Sequence, residues 1–316
     1  MATSLRARVT LGGLAVLAVF PLITGLLDQP YYLDIAMRMM CLAIAALSLN
    51  LALGYGGMIS FGHAAFIGIG AYAVGIPAFY GEYSGFVQFP LAILAAALFA
   101  LITGAVCLRT RGVYFIMITL AFAQMAFFAL VSIEEYGGDD GLVIDTRSQF
   151  AGLIDIEQTT SLYYLILAAL IGSLYLVKRI VASRFGRVIR GAKSNDARLR
   201  AIGFDSYKYR LTCYVISGAL CGLAGALLGN FTGFISPDMM DWTRSGELIF
   251  MVVLGGAGSL FGPVLGAAAF LILEEALSSL TIHWKIIFGP FLIVMVLYGR
   301  GGIDGFLRGR AGDGNG

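Results

Sequence analysis

Apolar residues along this chain come in runs near twenty residues long, separated by short polar or charged stretches. A helix rises 1.5 Å per residue, so about 20 apolar residues cross a ~30 Å hydrocarbon core. The runs predict helices over 11–27, 33–53, 58–80, 86–108, 112–133, 161–182, 211–235, 245–256, 261–281 and 285–299. The run at 245–256 is short, with Arg244 and Glu247 at its start. A β-barrel would need ~10-residue segments of alternating polarity, and the sequence has no such alternation. The expected fold is an all-α, polytopic transmembrane helical bundle of about ten spans (8–10), a single domain over 1–316. Arg6 and Arg8 precede the first run as in a signal peptide. The "LLDQPYY" that follows has no small-x-small cleavage site, so an uncleaved anchor is expected.

Composition agrees with that reading. Of 316 residues, 59% are hydrophobic and 13% charged, against about 25% charged in soluble domains, and the mean hydropathy is +0.86. The net charge of +2 gives no support for a nucleic-acid partner. Cys41, Cys107, Cys213 and Cys221 lie in or at the ends of apolar runs with no C-x-x-C pair. They read as small buried hydrophobes, and no metal or cofactor is expected.

The placement of charge is more informative than its sum. Lys and Arg mark the cytoplasmic side in short loops. Taking 1–10, 109–111, 178–210 and 300–310 as inward places 17 of the 21 Lys and Arg there. The 134–160 stretch holds seven acids against Arg147 and reads as an external loop. A chain with both termini cytoplasmic and ten crossings satisfies these positions.

One run is unusual in its glycine. Residues 54–72 read "GYGGMISFGHAAFIGIGAY", although each glycine costs a helix interior roughly 1 kcal/mol. In lipid, helices associate by close van der Waals contact, which small residues permit. Gly62, Ala65 and Ile69, or Gly68, Ala71 and Gly75, fall along one side. Glycine also permits a break, tolerated at membrane depth where it is buried in protein or lines water, and Gly54-Tyr55-Gly56-Gly57 fits one. The later stretch "LGGAGSLFGPVLGAAAF" echoes it. Gly255, Gly256, Ser259, Phe261 and Gly262 parallel Gly56, Gly57, Ser60, Phe61 and Gly62, with one residue inserted. Two related halves, or chance likeness of Gly-rich stretches, would each produce this. The spacing around Gly256 does not make a dinucleotide or phosphate loop.

Asn50, Ser60 and His63, with Ser48 and Gln124, are polar groups at membrane depth, where such groups face the bundle interior or a pore. For His63 an interhelical hydrogen bond competes with a place on a translocation path, on which Asn50 and Ser60 are also candidates. Asp34 and Arg38 stand four apart and suggest an i,i+4 ion pair.

Residues 183–210, "SRFGRVIRGAKSNDARLRAIGFDSYKYR", form the longest polar segment of basic character. On a helix over 185–202, Phe185, Val188, Ile189, Ala192, Leu199 and Ile202 share one face. Arg187, Arg190, Lys193, Arg198 and Arg200 take the other, and Gly203 follows as a C-terminal stop. Such a helix could lie on anionic membrane lipid or dock into a soluble partner.

"GRVIRGAKSNDARLRAIGFDSYKYRLTCYVISGALCGLAGAL" resembles the coupling loop and following helix of the branched-chain amino acid permeases of ATP-binding-cassette (ABC) transporters. Gly186-Arg187, Asn195-Asp196 and Gly203-Phe204 stand at that family's marked places. "LNLALGYGGMISFGHAAFIGIGAYA" and "GFISPDMMDWTRSGELIFMVVLGGAGSLFGPVLGA" are similar to its other two signature regions. Asp196 stands where Glu is more usual, and Arg198-Leu199 interrupts an Ala-rich run. The resemblance implies a non-enzymatic permease subunit of the bacterial inner membrane, importing branched-chain amino acids. It would work with a second homologous permease, two cytoplasmic ATPase subunits and a periplasmic solute-binding protein. Coupling to the ATPases would fall to Gly186, Arg187, Arg190, Asn195, Asp196, Leu199 and Gly203. Urea and amide permeases are near relatives of this type, although "GFISPDMM" and "VVLGGAGSLFGP" look closer to the branched-chain group. An ion-coupled transporter would place ionisable residues deep in its spans, and here they cluster at span ends. A membrane enzyme would need acids, His or Cys converging, and neither His63 nor His283 has such company in the sequence.

Overall fold

The structure is a computed structural model that describes residues 5–26, 30–150, 155–280, 283, 286–290, 293 and 301–305. Helix α1 (Leu5–Leu26) leads into α2 (Pro30–Asn50), which continues as a π-helical turn over Leu51–Tyr55. A non-helical loop, 56–62, then precedes α3 (His63–Phe79). Helices α4 (Gly85–Cys107), α5 (Val113–Val131) and α6 (Thr159–Ala182) follow. Two short helices, α7 (Arg184–Ser194) and α8 (Asp196–Ala201), lead into the long α9 (Ser206–Thr232). Helices α10 (Trp242–Gly255) and α11 (Gly262–Leu280) form an antiparallel hairpin across a second non-helical loop, 256–261.

Helix α9 is the centre of the bundle and packs on α2, α3 and α4. The reason lies in its small residues. Gly218, Gly222, Gly225 and Gly229 recur every three or four positions, the first two facing α4 and the last two facing α3. A Cβ on Gly70 of α3 would collide with the Gly222 carbonyl, and one on Gly225 would collide with that of Ile67. Across the other side, Gly218 and Gly222 press on the methyl groups of Ala100 and Ala96 in α4. The backbones meet because side chains are missing. The hairpin of α10 and α11 is built the same way, Gly266 against the Met251 carbonyl and Gly255 against that of Gly262.

The acidic loop is fastened to the bundle at the end where α4 begins and α9 ends. Strand β1 (Leu142–Val143) pairs antiparallel with β2 (Phe234–Ile235), Leu142 opposite Ile235. Ser148 donates from its backbone nitrogen to Asn230 Oδ1 at 2.9 Å, and its hydroxyl bonds Gln88. Glu134, Glu135, Asp139, Asp140 and Asp145 remain exposed.

Several expectations change. Among the described residues, six helices are long and apolar enough to cross a membrane, and α3, with 17 residues, is a shorter apolar one. Helix α3 falls short because the glycine loop 56–62 takes the first turns of its run, while α10 has only 14 residues. At 1.5 Å per residue α10 is only ~21 Å long. The run at 285–299 and Arg300, Arg308 and Arg310 lie wholly or largely outside the described residues. The single helix expected over 185–202 is two helices. Asn195 is extended (φ −155°, ψ 98°), and its side chain accepts from Arg198 N at 2.9 Å to cap α8. Ile202 is the C-cap of α8, beyond its last helical turn. Leu199 is buried while Ile202 is 66% exposed. Arg38 pairs with Glu274 of α11 at 3.4 Å rather than with Asp34, since the α2–α11 contact brings that carboxylate within reach.

Candidate functional site

The two glycine loops come together at the end of the bundle that carries α7. Asn50, fully buried at the end of α2, reaches across the chain to the second loop. Its Oδ1 accepts from Gly258 N at 2.8 Å and its Nδ2 donates to the Ser259 carbonyl at 2.7 Å. One amide thereby satisfies a donor and an acceptor of a loop that has no ladder of its own. Within each loop a serine performs the same task. Ser60 Oγ accepts from Gly62 N at 3.1 Å, and Ser259 Oγ accepts from Gly262 N at 2.8 Å. The correspondence seen in sequence thus extends to local hydrogen bonding, as two related halves would have it.

The first loop is held from three further sides. His63 Nε2 lies 2.9 Å from Ser217 Oγ on α9, and that hydroxyl donates to the Ser48 carbonyl. Because Ser217 gives its proton to a carbonyl, it must accept from His63, which fixes the Nε2–H tautomer. His63 Nδ1 is left buried without a partner. Ser245 of α10 accepts from Ala64 N at 2.9 Å and donates to the Phe61 carbonyl at 2.7 Å. Tyr214 Oη lies 3.3 Å from Ser60 Oγ, and Thr119 Oγ1 accepts from Phe61 N at 3.2 Å. Asn50, Ser60 and His63 are therefore all engaged in joining elements, with His63 in the interhelical bond that competed with a path role.

The basic segment is tied to the same point. The π-helical turn ends with Gly56 N on Leu51 O, Met58 N on Ala52 O and Gly57 N on Leu53 O. The next carbonyl, Gly54 O, is instead capped by Lys193 Nζ from α7 at 2.7 Å. A cation at a helix C-terminus is favoured by both the unsatisfied carbonyl and the helix dipole. Gly57, at φ +69°, leaves room for the Lys193 stem, which a Cβ there would crowd at 2.9 Å. Gly56 and Gly54 are equally closed in, by the Ala52 carbonyl and by Asn50.

Within the arm, Gly186 lets α7 turn tightly under α6, for a Cβ there would strike the Val181 and Ile180 carbonyls. Arg190 donates to the Gly186 and Val181 carbonyls at 3.3 Å, while Arg187 is exposed. Asp196 ion-pairs with Arg200 and with Arg111 from the α4–α5 turn. Burial alone would raise its carboxyl, but Ser206 and the guanidiniums of Arg200, Arg210 and Arg111 outweigh this and hold it below the usual carboxylate value. Ile189, Ala192 and Leu199 are buried in the chain's own bundle. The apolar groups left on the surface are Ile202 and Phe204, on either side of Gly203 (φ +89°). Sequence reasoning placed the apolar face outward toward a partner; the bundle covers it. It also missed Ser217, Tyr214 and Ser245, and the Gly54 partner of Lys193, because these roles depend on long-range neighbours.

This is a multi-helix bundle with apolar spans, two facing glycine loops and a basic arm clamped to one of them, the architecture of a membrane permease. The family described as "Branched-chain amino acid transport system / permease component" matches residues 31–297, and the chain belongs to that family. It is 27% identical over 288 residues to the high-affinity branched-chain amino acid transport system permease protein LivM of Escherichia coli, covering 84% of this chain and 68% of the relative. The probable branched-chain amino acid transport permease protein LivM of Methanocaldococcus jannaschii is 25% identical, over 81% of this chain and 84% of its own length. The Escherichia coli permease protein LivH of the same named system is 32% identical over 117 residues, 36% of this chain and 37% of LivH. No solved structure matches the chain.

Proposed function

We propose that this protein is the transmembrane permease subunit of an ABC importer that moves leucine, isoleucine and valine inward across the bacterial inner membrane. It acts beside a second, homologous permease, with two cytoplasmic ATPase subunits and a periplasmic solute-binding protein. Both termini and the α7–α8 arm face the cytoplasm, in contact with anionic membrane lipid at their edges, and 134–160 faces outward, the ten crossings being completed by the short helices and by 285–299. Energy enters from the ATPases, and the arm at 183–210 passes their motion to the bundle.

The observation that carries this is the Lys193–Gly54 hydrogen bond at 2.7 Å. It joins a charged surface element directly to the break where α2 ends and where Asn50 holds the second loop. An arm lying passively on lipid would need no such tie. Ile202 and Phe204 serve as its apolar anchors in the ATPase groove, in place of the covered Leu199. Arg187, Arg198 and Arg200 set orientation and on-rate. Gly186, Arg190, Asn195, Asp196 and Gly203 shape the arm.

The test is reconstitution of the four kinds of subunit in vesicles. Leucine uptake that requires both ATP and the binding protein is expected. The double variant Ile202→Ala, Phe204→Ala should lose the ATPases on co-purification while still inserting. Retention of the subunits with full solute-stimulated hydrolysis would sink the coupling role.

A further inference from the structure

Helix α10 is ~21 Å long, and its first turn lies beside the last turn of α9, with Arg244 and Thr232 lining one cavity. At the end of the bundle where α9 finishes, an open cavity of about 190 Å³ lies between α2, α3, α9 and α10, with Met239 in its lining. Its lining includes the charged Arg38, Arg244 and Glu247 and the apolar Leu42, Leu248 and Met251. For comparison, a cavity of about 150 Å³ admits a benzene ring.

We propose that this cavity is the acceptor site in which the permease receives a zwitterionic aliphatic amino acid released by its binding protein. The proposal rests on the import reading above. Arg38 stands two turns into α2 and lines the cavity. It is paired with Glu274 at 3.4 Å, and Arg244 with Glu247 at 3.0 Å. Neither pair saturates its groups. A guanidinium has five N–H donors and a carboxylate four acceptor positions, and all four side chains are partly exposed. An α-carboxylate can therefore bridge the two arginines while the α-ammonium donates to Glu247. The side chain then descends onto Leu42, Leu248 and Met251. A charged side chain would meet no partner at Leu42, Leu248 and Met251, so the site selects neutral aliphatic substrates by the cost of desolvating others.

The complete complex in proteoliposomes provides the test. Leu42→Trp, which fills the cavity from a half-buried wall position, and Arg244→Gln should each reduce leucine uptake about tenfold or more, as loss of a charged anchor does. Arg244→Lys should restore part of it, and the outward-facing Leu98→Trp should transport as wild type. Separately, Thr232→Cys at the rim should react with a water-soluble maleimide more slowly in millimolar leucine, and at an unchanged rate in lysine or glutamate. Normal uptake by an assembled Leu42→Trp complex overturns the proposal. If that variant does not assemble, the labelling decides, and equal rates with and without leucine overturn it. Wild-type complex that takes up no leucine would instead remove the import reading, leaving the labelling to judge the cavity.

Discussion

Lys193 and Gly54 lie 139 positions apart, yet the ammonium of one caps the carbonyl of the other at 2.7 Å. The bond makes the arm and the helix break one mechanical unit. Replacing Lys193 by Met keeps the stem and removes the donor, leaving a helix-terminal carbonyl uncapped. Loss of a hydrogen bond to a charged group costs ~1.5–3 kcal/mol. The expected result is ATPase subunits still bound, with transport and solute-stimulated hydrolysis both reduced, and partial recovery in Lys193→Arg. Co-purification together with ATPase rates would check it. Full stimulation in the Met variant would mean the bond is only structural.

The glycines of α9 make a steric prediction. Gly70→Ala puts a methyl group into the Gly222 carbonyl, and Gly225→Ala into that of Ile67. Overpacking costs ~1–3 kcal/mol, and backbone has less freedom to yield than a side chain. Both should lower the melting temperature of the purified permease and its yield in the membrane. Gly172→Ala has open space around it and should be neutral or slightly stabilising through helix propensity.

Much of this fold is readable from local pattern. The apolar runs gave α2, α4, α5, α6 and α9 to within a few residues, because a length requirement and a solvent change act on each run by itself. The break after Gly54 and the likeness of 56–62 to 256–261 were also visible. The split at Asn195 was readable in principle, since an Asn before an acid is a cap signal, but the continuous amphipathic pattern overrode it. What one sequence does not contain is which polar groups meet. Asn50 with Gly258, His63 with Ser217 and Lys193 with Gly54 are contacts between distant elements. Leu199 looked like an outward anchor for the same reason, since amphipathicity says that a face is covered without saying by what.

Asn50 should be the most sensitive polar position in the bundle. Asn50→Leu removes the partners of Gly258 N and the Ser259 carbonyl together, leaving the buried Ser259 carbonyl unpaired at ~1–3 kcal/mol and the half-buried Gly258 N–H without its partner. Asn50→Asp keeps the acceptor for Gly258 N but opposes the Ser259 carbonyl with a carboxylate. Thermal unfolding of the solubilised protein should rank wild type above both variants. Equal stability of Asn50→Leu would show that the loops are held without it.

Acid should loosen the arm through Asp196. Its carboxyl is held below the ordinary value of 3.8 by Ser206, Arg200, Arg210 and Arg111 despite burial. A depressed native value means that the stabilisation is fully present above the unfolded value and is lost as pH falls through the native one. Hydrogen-exchange protection of 196–206 should therefore stay flat from about pH 8 to about pH 5 and fall only in stronger acid. Asp196→Asn should lack that protection at every pH. A wild-type loss centred near neutrality would have to come from another group.

The sidedness of the chain can be decided with two cysteines. The four native ones are buried, so the wild-type background should be silent to impermeant maleimides. Gly141 is unsuitable for the outer position, because at φ +82° a Cβ would strike the Ile235 carbonyl. Asp140 and Ser194 are both exposed. Asp140 sits on the acidic loop, and Ser194 adjoins the lysine that caps Gly54. If the positive charges of the arm lie on the cytoplasmic side, Asp140→Cys should label in intact cells and Ser194→Cys only after the membrane is opened. Labelling of both from one side would overturn the crossing order. Labelling in the reverse sense would keep the bundle but invert it, placing the cavity on the side of the ATPases and removing its role as the acceptor.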